Sequence, residues 1–383
     1  MSPVQLVTDG PVCRACQGRT GHLVLDLGQQ PACDYFPRAD ASGPDPVYPL
    51  QMWLCSSCGL AQLVTDPTVP EEPRGAESAA LTAQAADAVE QVAAAGLFSG
   101  RYRVAEYASP HGGSWLDLLA CRGLTPVTDG EPADVVLDCF GMMHAADQSA
   151  ALAERVARVA EGGVLLLQYH SLDTIIRSGQ WNALRHGHYA YYSTTALCEM
   201  LAHKDFSPRM AWHFGLYGGT VLLAATWDAE TSVRPDGSVL TILAEEAQLG
   251  VRDPERLTDL QRSAQARASG LHDWLVAERD AGRSVLAYGA ASRAVALLRW
   301  AAADQTLLAA VVDAAPAKQG LRMPGTDIPI VDPAELLARR PDTVLLLVPD
   351  LLPEVRAAFP EVEDAGGRWV LDNETMAARP ADA

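Results

Sequence analysis

The sequence from residue 185 to residue 193 reads Arg-His-Gly-His-Tyr-Ala-Tyr-Tyr-Ser. This stretch, the His/Tyr loop, holds two of the nine histidines and three of the ten tyrosines of the chain. An apolar segment from Val164 to Tyr169 predicts a strand before it, and residues 194–204 predict a helix after it with Ser193 as the N-cap. Because α/β sheets form their binding crevices where such strands end, the stretch predicts an α/β fold with an active-site loop at this point.

The side chains of the His/Tyr loop suit proton transfer. A histidine has an ordinary pKa near 6.5 and can take or give a proton near neutral pH. A tyrosine hydroxyl can donate a hydrogen bond to a developing oxyanion. A surface loop with chance aromatic residues is the alternative interpretation.

Strand-like and helix-like segments alternate on both sides of this loop. Strands are predicted, in chain order, at residues 103–108, 124–128, 135–140, 163–169, 209–216 and 220–227. This order predicts a parallel doubly wound sheet that ends in an antiparallel hairpin, similar to class I methyltransferases. Only six residues separate Val127 from Asp134, whereas a parallel crossover needs about a dozen. Either the strands at 124–128 and 135–140 are antiparallel, or one of them is not a strand.

Two C-x2-C pairs near the N-terminus form the strongest motif. Cys13 and Cys16 make one pair, and Cys55 and Cys58 make the other, with 38 residues between the pairs. Four thiolates in two such pairs suit tetrahedral zinc with no open coordination position, so a structural zinc is predicted. A redox role is the weaker alternative because no βαβ pattern surrounds either pair. Cys33 stands alone and is predicted to be a small core residue.

The C-terminal part repeats a β-α-β pattern. Residues 284–289 predict a strand and residues 292–303 a helix, joined by the turn Tyr288-Gly-Ala-Ala-Ser-Arg293. Backbone N–H groups of such a turn can hold a phosphate, with Arg293 adding charge. The turn lacks a full G-x-G-x-x-G, so a plain tight turn is the alternative. The predicted divisions are a zinc-binding module (1–65), a linker and helix (66–101), a methyltransferase-like domain (102–228), connecting helices (229–283) and a C-terminal Rossmann-like domain (284–383).

Composition limits the class of protein. The chain has 383 residues, of which 49% are hydrophobic, and a net charge of −19. These values predict a globular chain of two or three domains and argue against nucleic acid as a partner, because such binding requires neutralisation of phosphates. No apolar stretch approaches the roughly 18 residues of a membrane span, and no signal sequence is recognised. A cytoplasmic protein without a membrane partner is expected.

Four features occur together in this chain: the paired cysteines, the segment Pro-Ala-Asp-Val-Val at 132–136, the His/Tyr loop, and Ala317-Lys-Gln-Gly320 leading to residues 324–330. Together they resemble the bacterial C-methyltransferases of nucleotide-linked keto-deoxysugars over nearly the whole chain. The resemblance implies an α/β fold with a small zinc-binding module, a truncated class I methyltransferase-like (Rossmann-type) middle domain and a second Rossmann-like domain.

The resemblance also implies functional residues. The family binds S-adenosylmethionine in the middle domain and a nucleotide-linked sugar between the middle and C-terminal domains. Its Tyr-His-Glu-His motif falls on residues 185–188, so His188 is implied as the base, with His186, Tyr191 or Tyr192 steadying the enolate oxygen. The predicted substrate-binding residues of the C-terminal domain are Gly289, Ser292, Arg293, Lys318 and Gln319.

Departures from the family pattern concentrate on the methyl-donor side. Arg185 and Gly187 stand where the family has Tyr and Glu. The donor-binding turn survives only as residues 106–112, which leaves Gly112 as its candidate contact. Asp129 or Glu131 is the candidate for the acid that holds the ribose, but the short connection after Val127 leaves no room for the adenine wall. Binding of S-adenosylmethionine is therefore doubtful.

These observations predict an enzyme of deoxysugar biosynthesis that enolises a dTDP- or other NDP-linked keto-deoxysugar through His188 without methylating it. It would then be an epimerase, isomerase or dehydratase. An S-adenosylmethionine-dependent C-methyltransferase is the alternative, and a non-catalytic partner protein is the second alternative. A nicotinamide oxidoreductase is disfavoured because neither sheet domain carries the dinucleotide fingerprint.

Overall fold

The structure, a computed structural model, describes residues 6–7, 10–68, 78–107, 113–227 and 235–375. These ranges contain sixteen strands and twelve α-helices. The strands are, in chain order, β1 (Leu6–Val7), β2 (Gly21–Pro31), β3 (Val47–Cys55), β4 (Ala61–Leu63), β5 (Arg103–Tyr107), β6 (Thr125–Pro126), β7 (Ala133–Cys139), β8 (Val159–His170), β9 (Ala190–Tyr191), β10 (Phe206–Phe214), β11 (Thr220–Trp227), β12 (Val285–Tyr288), β13 (Val311–Val312), β14 (Ile330–Val331), β15 (Thr343–Leu346) and β16 (Arg368–Leu371). The helices are α1 (Ala79–Ala94), α2 (Leu116–Ala120), α3 (Gln148–Ala157), α4 (Leu172–Arg177), α5 (Thr194–Ala202), α6 (Gly237–Leu249), α7 (Pro254–Leu257), α8 (Asp259–Asp280), α9 (Ser292–Trp300), α10 (Ala334–Arg339), α11 (Leu352–Ala358) and α12 (Glu361–Asp364).

The N-terminal sheet includes part of the His/Tyr loop. Its strand order is β1-β2-β3-β4-β9, and all neighbouring strands are antiparallel. β9 lies within the His/Tyr loop and places Tyr191 opposite Ala61 of β4. The predicted active-site loop is therefore an edge strand of the cysteine-bearing sheet, which no local sequence pattern indicates.

The middle sheet has the order β10-β11-β8-β7-β5-β6. Strands β8, β7, β5 and β6 are parallel, and β11 and β10 close the sheet as an antiparallel hairpin. The central strands are apolar runs buried on both faces, as expected for a parallel sheet covered by helices. This arrangement confirms the predicted mixed α/β class and the closing hairpin.

Neither alternative for the segments at 124–128 and 135–140 is correct, because both contain a strand and the two strands are not antiparallel. β6 contains two residues, and Thr125 pairs in parallel with Arg103 of β5. β7 pairs in parallel with the other side of β5, where Val135 lies opposite Val104. Because β6 ends level with the start of β5, the chain only has to pass the N-terminal end of β5 to reach β7. Six residues are enough for that path, so no crossover helix is needed.

The C-terminal sheet is parallel throughout, with the order β14-β13-β12-β15-β16. The chain leaves β12 toward one side of the sheet and returns to the other side at β15. Open α/β sheets bind ligands at such a switch point, beyond the carboxyl ends of the strands. Gly289 follows β12 there with a φ of +95°, and a Cβ atom at this position would lie 2.6 Å from Val348 Cγ2. Only glycine allows the two loops to approach so closely.

Among the described helices, none is long and apolar enough to cross a membrane.

Candidate functional site

The four cysteines of the two C-x2-C pairs come together, as predicted. Their sulfur atoms all lie within 4.8 Å of one another, with Cys13 and Cys58 at 3.5 Å and Cys16 and Cys55 at 3.6 Å. A zinc tetrahedron with Zn–S distances of about 2.3 Å has S–S edges of about 3.8 Å. The arrangement therefore fits a closed structural zinc site with four cysteine ligands. Cys33 is buried apart from it, with its thiol 3.7 Å from the His186 carbonyl.

Arg14 connects this zinc knuckle to the His/Tyr loop. Its guanidinium donates to the Leu63 carbonyl at 3.2 and 3.3 Å and to the Ala146 carbonyl at 2.9 Å. The same group lies 4.7 Å above the ring of Tyr189. Tyr189 in turn donates its N–H to the Met143 carbonyl at 2.8 Å, and its carbonyl accepts from the Leu63 N–H at 3.1 Å. The zinc module and Met143 of the middle domain thus fix the backbone next to His188 from two sides.

His188 lies in a group of polar side chains with Arg185 and His144. The Arg185 Nε lies 2.9 Å from His188 Nε2 and 3.4 Å from His188 Nδ1, so the guanidinium lies over the imidazole ring. The rings of His144 and His188 are 4.6 Å apart and nearly perpendicular, and His144 Nδ1 lies 2.9 Å from the Gly187 carbonyl. The sequence patterns did not single out His144. Its position shortly after the central strand β7 was the available signal, because that edge of a parallel sheet carries binding residues.

The other predicted catalytic side chains of the loop are engaged elsewhere. His186 is buried with Nε2 3.3 Å from the Pro49 carbonyl, and burial lowers the pKa of His186. The Tyr191 hydroxyl accepts the Arg185 N–H at 3.1 Å, and the Tyr192 hydroxyl donates to Gln148 inside the middle domain. Burial raises the pKa of both tyrosines. The structure therefore brings His188 to Arg185 and His144, while His186 and the two tyrosines hold the loop in place.

At the edge of the middle sheet where the methyl donor is predicted to bind, the acidic side chains of the described residues are bonded to other protein groups. Glu106 accepts the Trp115 N–H and the Ser114 hydroxyl, both at 2.6 Å. Asp138 is buried at the end of β7 and accepts from Arg155 at 2.7 Å, and burial raises its pKa although Arg155 opposes this. The cavity beside Asp138 has a volume of about 10 Å³. These residues do not enclose a ligand the size of S-adenosylmethionine.

The two predicted donor contacts remain predictions. Gly112 lies outside the described residues, as does the rest of the turn at 108–112. Asp129 is exposed in the turn after β6, on the edge strand of the sheet.

In the predicted phosphate-binding turn of the C-terminal domain, three backbone N–H groups already donate to protein acceptors. The N–H groups of Gly289, Ala290 and Ala291 donate to Val312, Asp313 and Gly289 at 2.8, 2.7 and 2.8 Å. Lys318 is buried and donates to the Ala290 carbonyl at 2.9 Å, and Gln319 donates to the Asp313 carbonyl at 3.1 Å. Lys318 and Gln319 therefore support the turn, and buried Ser292 begins α9.

Arg293 is the member of the predicted substrate-binding set that makes an ion-pair contact. It makes a 3.5 Å contact with Asp350 and is one-quarter exposed. Asp350 lines a cleft of about 460 Å³ together with residues of α1 and of the loop after β10. The cleft therefore reaches from the middle domain to the switch point of the C-terminal sheet.

His170, at the end of β8, marks the place where the two domains meet. Burial lowers its pKa to about 4, and the charges of Arg293 and Arg185 lower it further, against a hydrogen bond with Gln180. Arginines from two domains thus contribute to the low pKa of this one imidazole. We call His170, Arg185 and Arg293 the arginine crevice. Each of the two guanidinium groups can bind a phosphate by charge-assisted hydrogen bonds, in a protein whose overall charge is negative.

Acid is expected to destabilise the folded protein through His170. The unfolded chain takes up this proton near pH 6.5, whereas the folded protein takes it up only near pH 4. The unfolded state binds more protons in that window, so the free energy of unfolding should fall as pH decreases from about 6.5 to about 4. Urea denaturation of the wild type and of His170→Gln across this range measures the difference. Parallel pH dependences in the two proteins would contradict the assignment.

Two family models match separate parts of the chain. A zinc-binding domain model matches residues 13–72, and a model described as the C-methyltransferase C-terminal domain matches residues 215–372. The C-methyltransferase NovU from Streptomyces niveus is 27% identical over 234 residues, which are 61% of this chain and 55% of that protein. The match thus spans only about half the length of this curated relative.

Solved structures with a similar arrangement include two methyltransferases. Magnesium protoporphyrin IX methyltransferase from Synechocystis PCC 6803 aligns with a TM-score of 0.31 and 14% identity, over 38% of this chain and 83% of that one. An O-methyltransferase family protein from Burkholderia thailandensis aligns with a TM-score of 0.31 and 17% identity, over 39% and 57% of the two chains. At these TM-scores the fold assignment depends on the strand order described above.

Proposed function

Because the chain belongs to the C-methyltransferase family that carries an N-terminal zinc-binding domain, we propose that it methylates a carbon next to a ketone in a nucleotide-linked sugar. The match to a C-methyltransferase supports methyl transfer, the alternative in the sequence analysis, better than the non-methylating enzyme predicted there. The sugar and its dTDP or other nucleoside diphosphate remain part of the proposal.

The observation that carries the proposal is the placement of His188 beside the arginine crevice. A carbon next to a ketone becomes a nucleophile when a base removes its proton. His188 Nε2 takes that proton, and the electrons of the C–H bond form an enolate whose charge lies on the ketone oxygen. His144 is close enough to His188 to stabilise that oxygen as its charge develops. S-adenosylmethionine, when bound, supplies an electrophilic methyl group.

The arginine crevice provides the binding energy for the other end of the substrate. Arg185 and Arg293 can each form charge-assisted hydrogen bonds with a diphosphate, which are stronger than neutral ones. A diphosphate held there places the attached sugar close to His188, because Arg185 belongs to the crevice and also contacts the His188 imidazole.

Incubation with a dTDP-linked keto-deoxysugar and S-adenosylmethionine in deuterated buffer tests this function. We expect a product heavier by one methyl group and lacking the original α-hydrogen, identified by mass spectrometry. Recovery of unchanged, undeuterated sugar under these conditions, with binding of the sugar nucleotide verified, would count against the proposal.

A non-methylating enolising enzyme is the second candidate, favoured by the filled donor edge at Asp138. The two candidates share the proton-abstraction step and differ in its outcome. Deuterium incorporation into a product of unchanged carbon count, with no binding of S-adenosylmethionine in calorimetry, would select this second candidate.

Replacing Arg293 by methionine is expected to weaken dTDP binding by about 1.5–3 kcal/mol, because a charged hydrogen bond to phosphate is lost. Lys318→Met should instead lower stability and change dTDP affinity little, since Lys318 donates to the Ala290 carbonyl. Calorimetric titration measures the affinities, and Arg339→Met, on an exposed ion pair with Glu335, is the matched control. Wild-type dTDP affinity in Arg293→Met would place the diphosphate elsewhere.

A further inference from the structure

Four uncharged polar side chains meet on one face of the middle sheet, at the carboxyl end of β8. Gln168 and His170 both belong to β8 and lie two positions apart, so they point to the same face. Thr220 of β11 pairs with His170 across the strands and shares that face. Gln84 of α1 covers it, because its Oε1 accepts the Gln168 Nε2–H at 2.7 Å. We call these four residues the neutral polar cluster.

One polar atom of each of these side chains has no hydrogen-bond partner in the described part of the chain. The four atoms are shielded from solvent and are Gln84 Nε2, Gln168 Oε1, His170 Nε2 and Thr220 Oγ1. Gln84, Gln168 and Thr220 have exposed fractions of only 8%, 3% and 0%. Buried polar atoms nearly always have partners, because an unpaired one loses its hydrogen bonds to water without replacement. Four such atoms in one place therefore point to a ligand.

The neutral polar cluster adjoins the cleft of about 460 Å³, which Gln84 and Leu216 line. The next residue, Tyr217, has its ring 6.4 Å from that of His170 and 5.7 Å from that of Phe140. Tyr217 and Phe140 both have a left-handed backbone, with φ values of +55° and +62°. Residues other than glycine rarely adopt this conformation, and such residues cluster at functional sites. The wall between the cleft and the cluster is thus built from two unusual backbone positions.

The His/Tyr loop is anchored beside the same end of β8. The Leu172 N–H, two residues after His170, donates to the Tyr192 carbonyl at 2.8 Å. A ligand held by the neutral polar cluster therefore lies next to the loop that carries His188.

The free atoms of the cluster include donors and acceptors but no charge. The two glutamines leave one amide N–H and one amide oxygen, and the Thr220 hydroxyl can act in either role. Burial lowers the pKa of His170 to about 4, so its imidazole is neutral near neutral pH. Hydroxyl and ketone groups match this set. An ammonium group would lose its hydration there without gaining an opposite charge.

The carboxylates that line the cleft are bonded to other side chains. Asp87 accepts from Gln91 at 3.1 Å, and Asp350 contacts Arg293 at 3.5 Å. They therefore do not offset the absence of a negative charge in the cluster.

We propose that the neutral polar cluster binds the sugar ring of the substrate through its hydroxyl groups and selects neutral sugars over amino sugars. Gln84 donates to the ring, Gln168 accepts from it, and Thr220 and His170 complete the contacts. Gln168 and Thr220 are then specificity-determining residues. The inference rests on the proposed function for the link between the sugar and a nucleotide, and it adds the class of sugar.

Calorimetric titration with dTDP, with dTDP-6-deoxyglucose and with its 3-amino and 4-amino analogues tests the inference. These sugars carry no ketone, so binding is measured without turnover. The wild type should bind dTDP-6-deoxyglucose at least about tenfold more tightly than dTDP, through several hydrogen bonds. At least one amino analogue should bind no more tightly than dTDP, because its ammonium replaces a hydroxyl that the cluster holds.

Two substitutions of nearly unchanged volume locate this gain. Gln168→Met and Thr220→Val should each weaken binding of dTDP-6-deoxyglucose about three- to tenfold and leave dTDP affinity unchanged. Gln248→Met and Thr241→Val, at exposed positions of α6, are the matched controls.

Stability separates this role from a structural one. The Thr220 hydroxyl has no partner in the described part of the free protein, so Thr220→Val should unfold at the same or a higher urea concentration than the wild type. A clear loss of stability in Thr220→Val, with unchanged sugar affinity, would assign the hydroxyl to the fold.

The inference is overturned if the wild type binds dTDP-6-deoxyglucose no more tightly than dTDP. It is equally overturned if both amino analogues bind as tightly as the parent sugar nucleotide, or if neither substitution changes sugar affinity. Binding as expected without methyl transfer or deuterium exchange on a keto-sugar would instead refute the proposed function and leave the cluster as a sugar site. Methyl transfer that is unaffected by both substitutions would refute the cluster and leave the function standing.

Discussion

Replacing His188 by alanine is expected to abolish deuterium exchange at the carbon next to the substrate ketone, with a loss of about 100- to 10,000-fold. The side chain is buried beside Arg185 and His144 and belongs to the loop that β9 anchors to the N-terminal sheet. Arg185 cannot take its place as a base, because a guanidinium stays protonated in proteins. Exchange of a dTDP-linked keto-deoxysugar, followed by mass spectrometry, measures the loss.

Two further histidine variants separate a chemical effect from a structural one. His186→Ala should reduce stability more than it reduces exchange, because this buried imidazole contacts the Pro49 carbonyl rather than the crevice. His203→Ala, at an exposed position after α5, should match the wild type in both respects. Exchange at the wild-type rate in His188→Ala would remove His188 from the mechanism.

The zinc ligands and the α/β class could be predicted because short-range patterns encode them. Two C-x2-C pairs place thiolates together almost independently of the intervening 38 residues, and apolar runs such as 163–169 are typical of central strands. The His/Tyr loop was also recognised from its unusual composition. In each case one segment carries enough information by itself.

The partners of the loop depend on tertiary contacts that lie far apart in sequence. The hydrogen bond between Arg14 and Leu63 and the approach of His144 to His188 bring together residues 49 and 44 positions apart. The effect of Arg293 on the pKa of His170 spans 123 positions. The sequence also could not show that the Lys318 ammonium donates a hydrogen bond to the Ala290 carbonyl. A basic residue next to a glycine turn has the same appearance in sequence whether it binds a ligand or supports the fold.

Removing one zinc ligand by Cys55→Ser is expected to lower the free energy of unfolding by about 5 kcal/mol or more, because structural zinc contributes on the order of 10 kcal/mol to the folding of zinc-finger peptides. Metal analysis of the wild type should give one zinc per chain, from the single four-cysteine cluster found among the described residues. Urea denaturation measures the loss, and Cys121→Ser, at an exposed cysteine outside the cluster, is the matched control. A metal-free protein of unchanged stability would refute the zinc assignment.

The same substitution should also impair exchange at the substrate carbon, because the zinc knuckle is joined to the His/Tyr loop. Arg14 lies between two of the ligands and contacts the Leu63 carbonyl and the Tyr189 ring, so loss of the knuckle releases the backbone beside His188. Arg14→Met isolates this connection: it should retain zinc and most of the stability but lose protection of the Tyr189 and Leu63 amides in hydrogen exchange. Suppose instead that in Arg14→Met the amides of Tyr189 and Leu63 keep wild-type protection while the substrate carbon exchanges deuterium at the wild-type rate. That result would mean that the zinc stabilises its own module without positioning His188.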